Sequence, residues 1–500
     1  MFELLAVLFV FIATWGFYST IKPRKYPPGP VWYPFVGSAP IVKKLAIQLG
    51  GLHKAVQKLS ETHKTDILGL KLGDKNTVIV SNYALLKDIL WKEEYAGRPD
   101  DIFIRLRCLG QLKGITMTDG SFSRIQKKFV KTHLRELGFG KERMEELINE
   151  ESSELMEILE KLEDQGIDFT KILPLSVMNV LWAIAAGTRM DRYDNRLITL
   201  LNTMQERSRL FDLSGGLLNQ FPWLRFVAPE ISGYNLITRL NKNLKEIIME
   251  SIEEHKKSWI PGQDNDLIYA FINKMNDTND DNSTFTEDQL VMICLDLFIA
   301  GSVSTSNTLG CAFLFMILNP EIQSKVAEEV ERAFAKNENI HYKERNRVPY
   351  VEAVLNEVHR FSTIGPIGGP RRVTSDVKLG DYEIPKNTMV LYSIYSCHND
   401  KDYWKDPEVF RPERFLTPEG TLINHERFMP FSIGIRRCLG EVLARSCVFT
   451  FFCEIIRNYE VIAYPGTKPT GKLIAGMLTG PESYMAKLVK RNKQNNSIIY

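Results

Sequence analysis

Apolar and polar positions follow two rhythms along this chain. Apolar residues three and four apart, with charge between them, run through most of residues 50–260 and are plainest in KERMEELINEESSELMEILEKLED (141–164). That spacing predicts amphipathic helices with one face on a core and one in water. Short apolar runs bounded by turn residues are fewer: DILGLKLG with TVIVSN early, DVKLGDYEIP with TMVLYSIY late. These predict a few short strands. The segment MNDTNDDNSTFTEDQ (275–289) has no apolar period and predicts a polar connector, in which Thr286 and Gln289 resemble a capping box. The helix it would start, from about Glu287 to Leu318, stops before Asn319 and Pro320 and is apolar almost all round through VMICLDLFIA. Such a helix belongs inside a large core. The predicted class is mainly α with a minor β-sheet region, without internal repeats or low-complexity tracts.

The amino terminus breaks both rhythms. An apolar run of about 18 residues from Leu4 to Ile21 approaches the ~20 that span a bilayer. Glu3 precedes it and Lys22, Arg24 and Lys25 follow, the reverse of a cleaved leader. Residues 1–21 therefore read as a transmembrane signal-anchor helix rather than a core helix, with the basic side, and so the body, in the cytosol. That places the chain on the endoplasmic reticulum membrane. YPPGP (26–30) cannot continue a helix, and residues 22–31 read as a basic, proline-rich spacer leading into a single catalytic domain, 32–500.

Charge adds little: 63 Lys plus Arg against 61 Asp plus Glu gives no field for nucleic acid. The seven cysteines, at 108, 294, 311, 397, 438, 447 and 453, show neither paired nor zinc-like spacing. Most lie in apolar stretches such as FTFFCEII, where cysteine acts as a small buried hydrophobe. Cys438 differs, standing in FSIGIRRCLG (431–440) between Gly434 and Gly440 and beside two arginines. Glycines let backbone amides close around a sulfur, and a helix starting just after it would favour a thiolate.

With F-x-x-G-x-R-x-C-x-G on the page, the sequence resembles the cytochrome P-450 family of haem-thiolate monooxygenases, from the amino-terminal helix to about Lys490. Glu357 and Arg360 in NEVHRF match that family's E-x-x-R, and RPERF (411–415) supplies Arg414, which in the family joins the pair. The resemblance implies haem b held by Cys438 as the metal ligand, with Phe431 and Gly434 shaping the loop. Arg436, Arg372 in PRRV (370–373) and Lys127 would neutralise the propionates. It also implies electrons from NADPH through a flavoprotein reductase, docked by basic residues such as Arg436, Arg437, Lys127 and Lys128.

Two departures stand out. The family's early tryptophan and arginine, four apart, are Ser123 and Lys127 in DGSFSRIQKKF; lysine keeps the charge and loses the planar fork. In the long helix the family's A-G-x-acid-Thr-Thr/Ser reads AGSVST, so Val303 replaces the acid and Ser304 the first threonine. Gly301, Ser304 and Thr305 are the candidate catalytic positions: Gly301 would let the helix widen to admit dioxygen, and proton supply would fall to Ser304, ordered water or the substrate. The remaining hydroxyls of this segment read as bonding back to the preceding turn.

The stretches that the resemblance places around the pocket, 100–110, 210–226, 297–304, 362–368 and 475–480, are largely apolar and imply a lipophilic substrate. Arg105, Arg107 and Arg209 are candidates to meet a carboxylate or ester, with a solvated surface role as the plainer reading of each. Segments such as RLRCLGQLKGITMTDG and LNQFPWLRFVAPE resemble the arthropod branch that includes juvenile-hormone epoxidases acting on farnesoic acid or its methyl ester. Steroid or xenobiotic hydroxylation, a haem-thiolate isomerase or dehydratase without a reductase, and a haem sensor stay open.

Overall fold

A computed structural model describes residues 2–136, 140–162, 165–211, 215–277, 284–335 and 337–491. Parts of the expected connector at 275–289, of the stretch at 210–226 and of the chain after 491 lie outside them.

The long helix runs from Glu287 to Leu318 as the periodicity predicts, and most of its residues are buried. Thr286 caps it by accepting from the Gln289 amide at 3.3 Å. The reciprocal half of the capping box does not form. The Gln289 side chain reaches across to Gly114, accepting from its amide at 2.8 Å, so it ties an early loop to the core helix. A second apolar helix, Phe169–Ala186, packs along the first. Phe169 stacks on Phe313 at 4.5 Å and Trp182 on Phe298 at 5.0 Å. Leu181 occupies the space a side chain at Gly301 would need, 2.9 Å from the position of its Cβ. The helix is continuous through Gly301, and the glycine allows close packing against Leu181. The carboxy-terminal helix, Glu441–Asn458, closes this core with Phe449, Phe451 and Phe452.

The four apolar runs all fall on strands, and further strands form where no such run was read, Ile367–Arg372 and short pairs after residue 458 among them. Strands β1 (Ile67–Leu72), β2 (Lys75–Val80), β3 (Ile367–Arg372) and β6 (Met389–Ser393) form one sheet in the order β1-β2-β6-β3, with β4 (Val377–Leu379) and β5 (Tyr382–Ile384) as a separate hairpin. β2 and β6 run parallel, so residues as far apart as Thr77 and Met389 share one ladder. A register shift interrupts β3 between Gly368 and Arg371.

The amino-terminal helix spans Phe2–Tyr18, about 26 Å at 1.5 Å per residue, with its apolar side chains exposed. Its end rests on the body: Trp15 meets Phe35 at 5.1 Å, and Lys71 donates to the Ser19 carbonyl at 2.7 Å. The basic, proline-rich segment expected as a stiff spacer lies on the sheet. The Gly69 amide donates to the Pro28 carbonyl at 2.8 Å, and buried Tyr26 donates to the Thr77 carbonyl at 3.0 Å. A Cβ at Gly29 would sit 2.0 Å from the Gly69 carbonyl oxygen, so both glycines are needed for this approach.

Candidate functional site

The cysteine loop is shaped from both ends. Gly434 has φ +81°, and a Cβ there would lie 2.1 Å from the Leu90 carbonyl oxygen, which instead accepts from the Ile435 amide. The Cys438 amide donates to the Phe431 carbonyl at 2.9 Å, and the Phe431 ring sits against His359 and Arg445. Of the seven cysteines, six are buried and Cys438 alone is exposed. The surrounding chain pushes its thiol up by desolvation, opposed by the Gly440 amide donating to the sulfur and by Arg437. The loop therefore presents the sulfur without ionising it; a bound metal ion would take the proton's place.

Behind the loop, Glu357 and Arg360 sit on the Pro349–Ser362 helix and are completely buried. Arg360 donates twice to Glu357, both at 2.7 Å, and Arg414 adds a third bond at 3.1 Å. Arg360 also donates to the carbonyls of His398 and Pro407. His398 in turn accepts from the Met429 amide at 3.1 Å and meets Thr363 at 3.0 Å. The three residues thus fasten residues 398–414, and through His398 the start of the cysteine loop, to one helix.

A second basic cluster, Arg98, Arg371, Arg436 and Lys127, makes no ion pair among the described residues, with Asp119 acting on Arg436 only at a distance. Arg436 donates to the carbonyls of Ala96 and Thr118, both at 2.8 Å, and lies 3.5 Å from the Ser123 hydroxyl. Arg98 donates to the carbonyls of Thr116 and Pro370. Arg371 is fully buried, and its Nε and Nη2 have no partner among the described residues. Burial and mutual repulsion depress these cations: Arg98 to about 9, mainly by desolvation and then Arg436 and Arg371, and Lys127 to about 7 by desolvation, Arg436 and Arg98.

Arg372 corrects an expectation. Its guanidinium turns away, to Asp119 at 3.0 Å and Asn387 at 3.1 Å, so β3 gives the interior Arg371 instead. Arg98, which sequence reasoning did not single out, joins it.

The long helix contributes an accessible stripe. Leu297, Ala300, Gly301 and Ser304 are partly or fully accessible, while Phe298, Ser302, Val303 and Thr305 are buried. Ser304 donates to the Ala300 carbonyl at 2.8 Å, Ser306 to Ser302 and Thr308 to Ser304. The back-bonding expected of its neighbours thus includes Ser304. The Ser302 hydroxyl is buried and has no partner among the described residues.

Of the stretches expected around a pocket, 362–368 touches 475–480, and 100–110 touches 210–226 through Phe103 and Phe211. Thr479 donates its amide to the Ile364 carbonyl at 2.8 Å, Met477 to Ser208 at 2.7 Å, and Asn307 reaches the Thr479 carbonyl at 3.0 Å. The candidate arginines mostly leave that region: Arg105 pairs with Asp100 at the surface, Arg209 is exposed, and Arg107 is buried against Asp296 at 2.7 Å.

The profile of the family described as Cytochrome P-450 matches residues 27–488. The chain belongs to the cytochrome P-450 family. It is 41% identical over 497 residues to a probable cytochrome P-450, 305a1, of Drosophila melanogaster, covering 98% of this chain and 99% of that protein. It is 35% identical over 438 residues to farnesoate epoxidase of Bombyx mori, 87% and 88% of the two chains. Cytochrome P-450 2J2 of Homo sapiens matches at 32% over 478 residues, 95% and 93%. The protein is therefore a monooxygenase of the oxidoreductase class, in a family that binds haem through a cysteine thiolate and draws electrons from an NADPH-dependent reductase. Its residues fit that group: an exposed thiol and buried guanidinium nitrogens lacking an anion suit iron on one side and two carboxylates on another.

Proposed function

We propose that this cytochrome P-450 inserts one atom of dioxygen into a lipophilic sesquiterpenoid such as farnesoic acid or methyl farnesoate. The similarity to farnesoate epoxidase over 438 residues carries the substrate choice, supported by the apolar character of the pocket stretches. Hydroxylation of a steroid or xenobiotic is the alternative within the same chemistry.

Cys438 would ligate the iron, with Arg98, Arg371, Arg436 and Lys127 on the propionates. The bound haem supplies the site where dioxygen is activated with two electrons and two protons. The chain's own part is to hold and deliver protons. Val303 cannot carry one, so proton supply would fall to a water held by the partly accessible Ser304 hydroxyl, which here donates to the Ala300 carbonyl. Exposed Arg437 and Lys128 would meet the reductase, and the exposed Phe2–Tyr18 helix would anchor the body to the endoplasmic reticulum membrane, facing the cytosol.

Product analysis tests the reading. The full chain, a microsomal reductase and NADPH are incubated with farnesoic acid and with methyl farnesoate. An NADPH-dependent epoxide is expected; haem-loaded protein that yields none from either substrate rejects this choice and moves the steroid and xenobiotic classes forward.

A further inference from the structure

The Asn195–Leu210 helix ends beside the pocket stretches, and its last turn holds Arg207, only 5% exposed. Buried cations are normally paired. Arg207 has neither an ion pair nor a hydrogen bond from its guanidinium among the described residues, and its one contact of note is the Phe103 ring, 5.9 Å from Cζ. Desolvation and the neighbouring Arg107 hold it down at about 9.

Arg107 is already satisfied, because Asp296 on the long helix takes its guanidinium at 2.7 Å. Among the described residues, two arginines and one carboxylate leave a single positive charge at this spot. Three segments converge on it: the Ile102–Arg107 helix through Phe103, residue 211 through the Phe103–Phe211 contact at 5.1 Å, and the 475–480 loop through Met477 donating to the Ser208 carbonyl. Gly476 permits that last approach, since a Cβ there would lie 2.1 Å from the Ser208 carbonyl oxygen.

We infer that Arg207 is the anchor for a single carboxylate at the polar end of an apolar substrate, so that the free acid is preferred over its ester. One uncompensated charge matches a monocarboxylate better than a phosphate dianion, and the planar guanidinium takes a carboxylate in two parallel hydrogen bonds. The inference rests on the sesquiterpenoid reading for its particular acid, and on the geometry alone for the carboxylate.

The test is equilibrium binding to the haem-loaded full chain, read from the substrate-induced shift of the haem absorption band. The probes are farnesoic acid against methyl farnesoate, and straight-chain fatty acids against their methyl esters. The acid of a pair should bind about tenfold to a hundredfold tighter than the ester. Arg207→Gln should erase that preference with ester affinity unchanged, Arg207→Lys should keep part of it, and exposed Arg209→Gln should leave it intact. Thermal melting of Arg207→Gln should stay level or rise, because an unpaired buried charge is removed. A fatty-acid preference that depends on Arg207, with no binding of either farnesyl probe, keeps the anchor and rejects the sesquiterpenoid reading. Equal acid and ester affinities in the wild type, failure of every acid to bind, or an acid preference that survives Arg207→Gln would overturn the anchor.

Discussion

Two arginine clusters in this molecule are oppositely finished. Arg360 and Arg414 share Glu357, and every strong donor of Arg360 finds an oxygen within 3.0 Å. Arg98, Arg371, Arg436 and Lys127 crowd together with carbonyl oxygens for company, and two guanidinium nitrogens of Arg371 have no partner among the described residues. The first cluster is a fastening that the chain completes alone. The second is a socket whose anions must come from outside. A cluster of like charge that folding alone leaves repulsive marks a ligand site more clearly than a satisfied one does.

The contrast breaks most severely at Glu357. Glu357→Ala strands two buried guanidiniums, a loss of about 3–5 kcal/mol, and should abolish recovery of folded, haem-loaded protein; near-normal recovery and melting would refute the fastening role. Arg371→Leu should act in the opposite sense on the two states. The haem-free chain should melt no lower, while haem transfer to apomyoglobin should quicken about tenfold to a hundredfold. Arg372→Gln, whose side chain faces Asp119, should change transfer far less.

Proton linkage sharpens the same contrast. His398 at about 3 and His53 at about 4 are both held below their ordinary 6.5 by burial, so the folded chain binds fewer protons than the unfolded one. Their contribution to stability is complete above about pH 6.5 and declines as pH falls from there toward 3, visible as a falling urea midpoint; a His398→Gln variant should flatten part of that decline. In the socket, Lys127 at about 7 gains its proton when an anion arrives. Haem affinity should therefore weaken as pH rises above about 7, and less so in Lys127→Arg. The smallest effect is expected at Ser304. Ser304→Ala should lower the product formed per NADPH consumed without altering haem content, and unchanged coupling would remove Ser304 from proton delivery.

Much of this was readable beforehand, and the misses have physical causes. The long helix, the strands at the four apolar runs, the exposed cysteine and the Glu357 cluster are set by local periodicity and by motifs with fixed spacing. Arg371 and Arg372 were confused because adjacent strand residues face opposite sides, and the register shift after Gly368 hides the phase. Arg207 was passed over for Arg209, although two helical positions are about 200° apart and only one of them can face inward. The packing of the proline segment on the sheet was not foreseen because nothing local reveals that Gly69, far along the chain, leaves room for it.

The most direct test of the central claim is the absorption spectrum of the reduced, carbon-monoxide-bound full chain, compared among wild type, Cys438→Ser and Cys447→Ser. The red-shifted band of thiolate-ligated haem is expected in the wild type and in Cys447→Ser, and is expected to vanish in Cys438→Ser. A thiolate band that survives Cys438→Ser would contradict that claim.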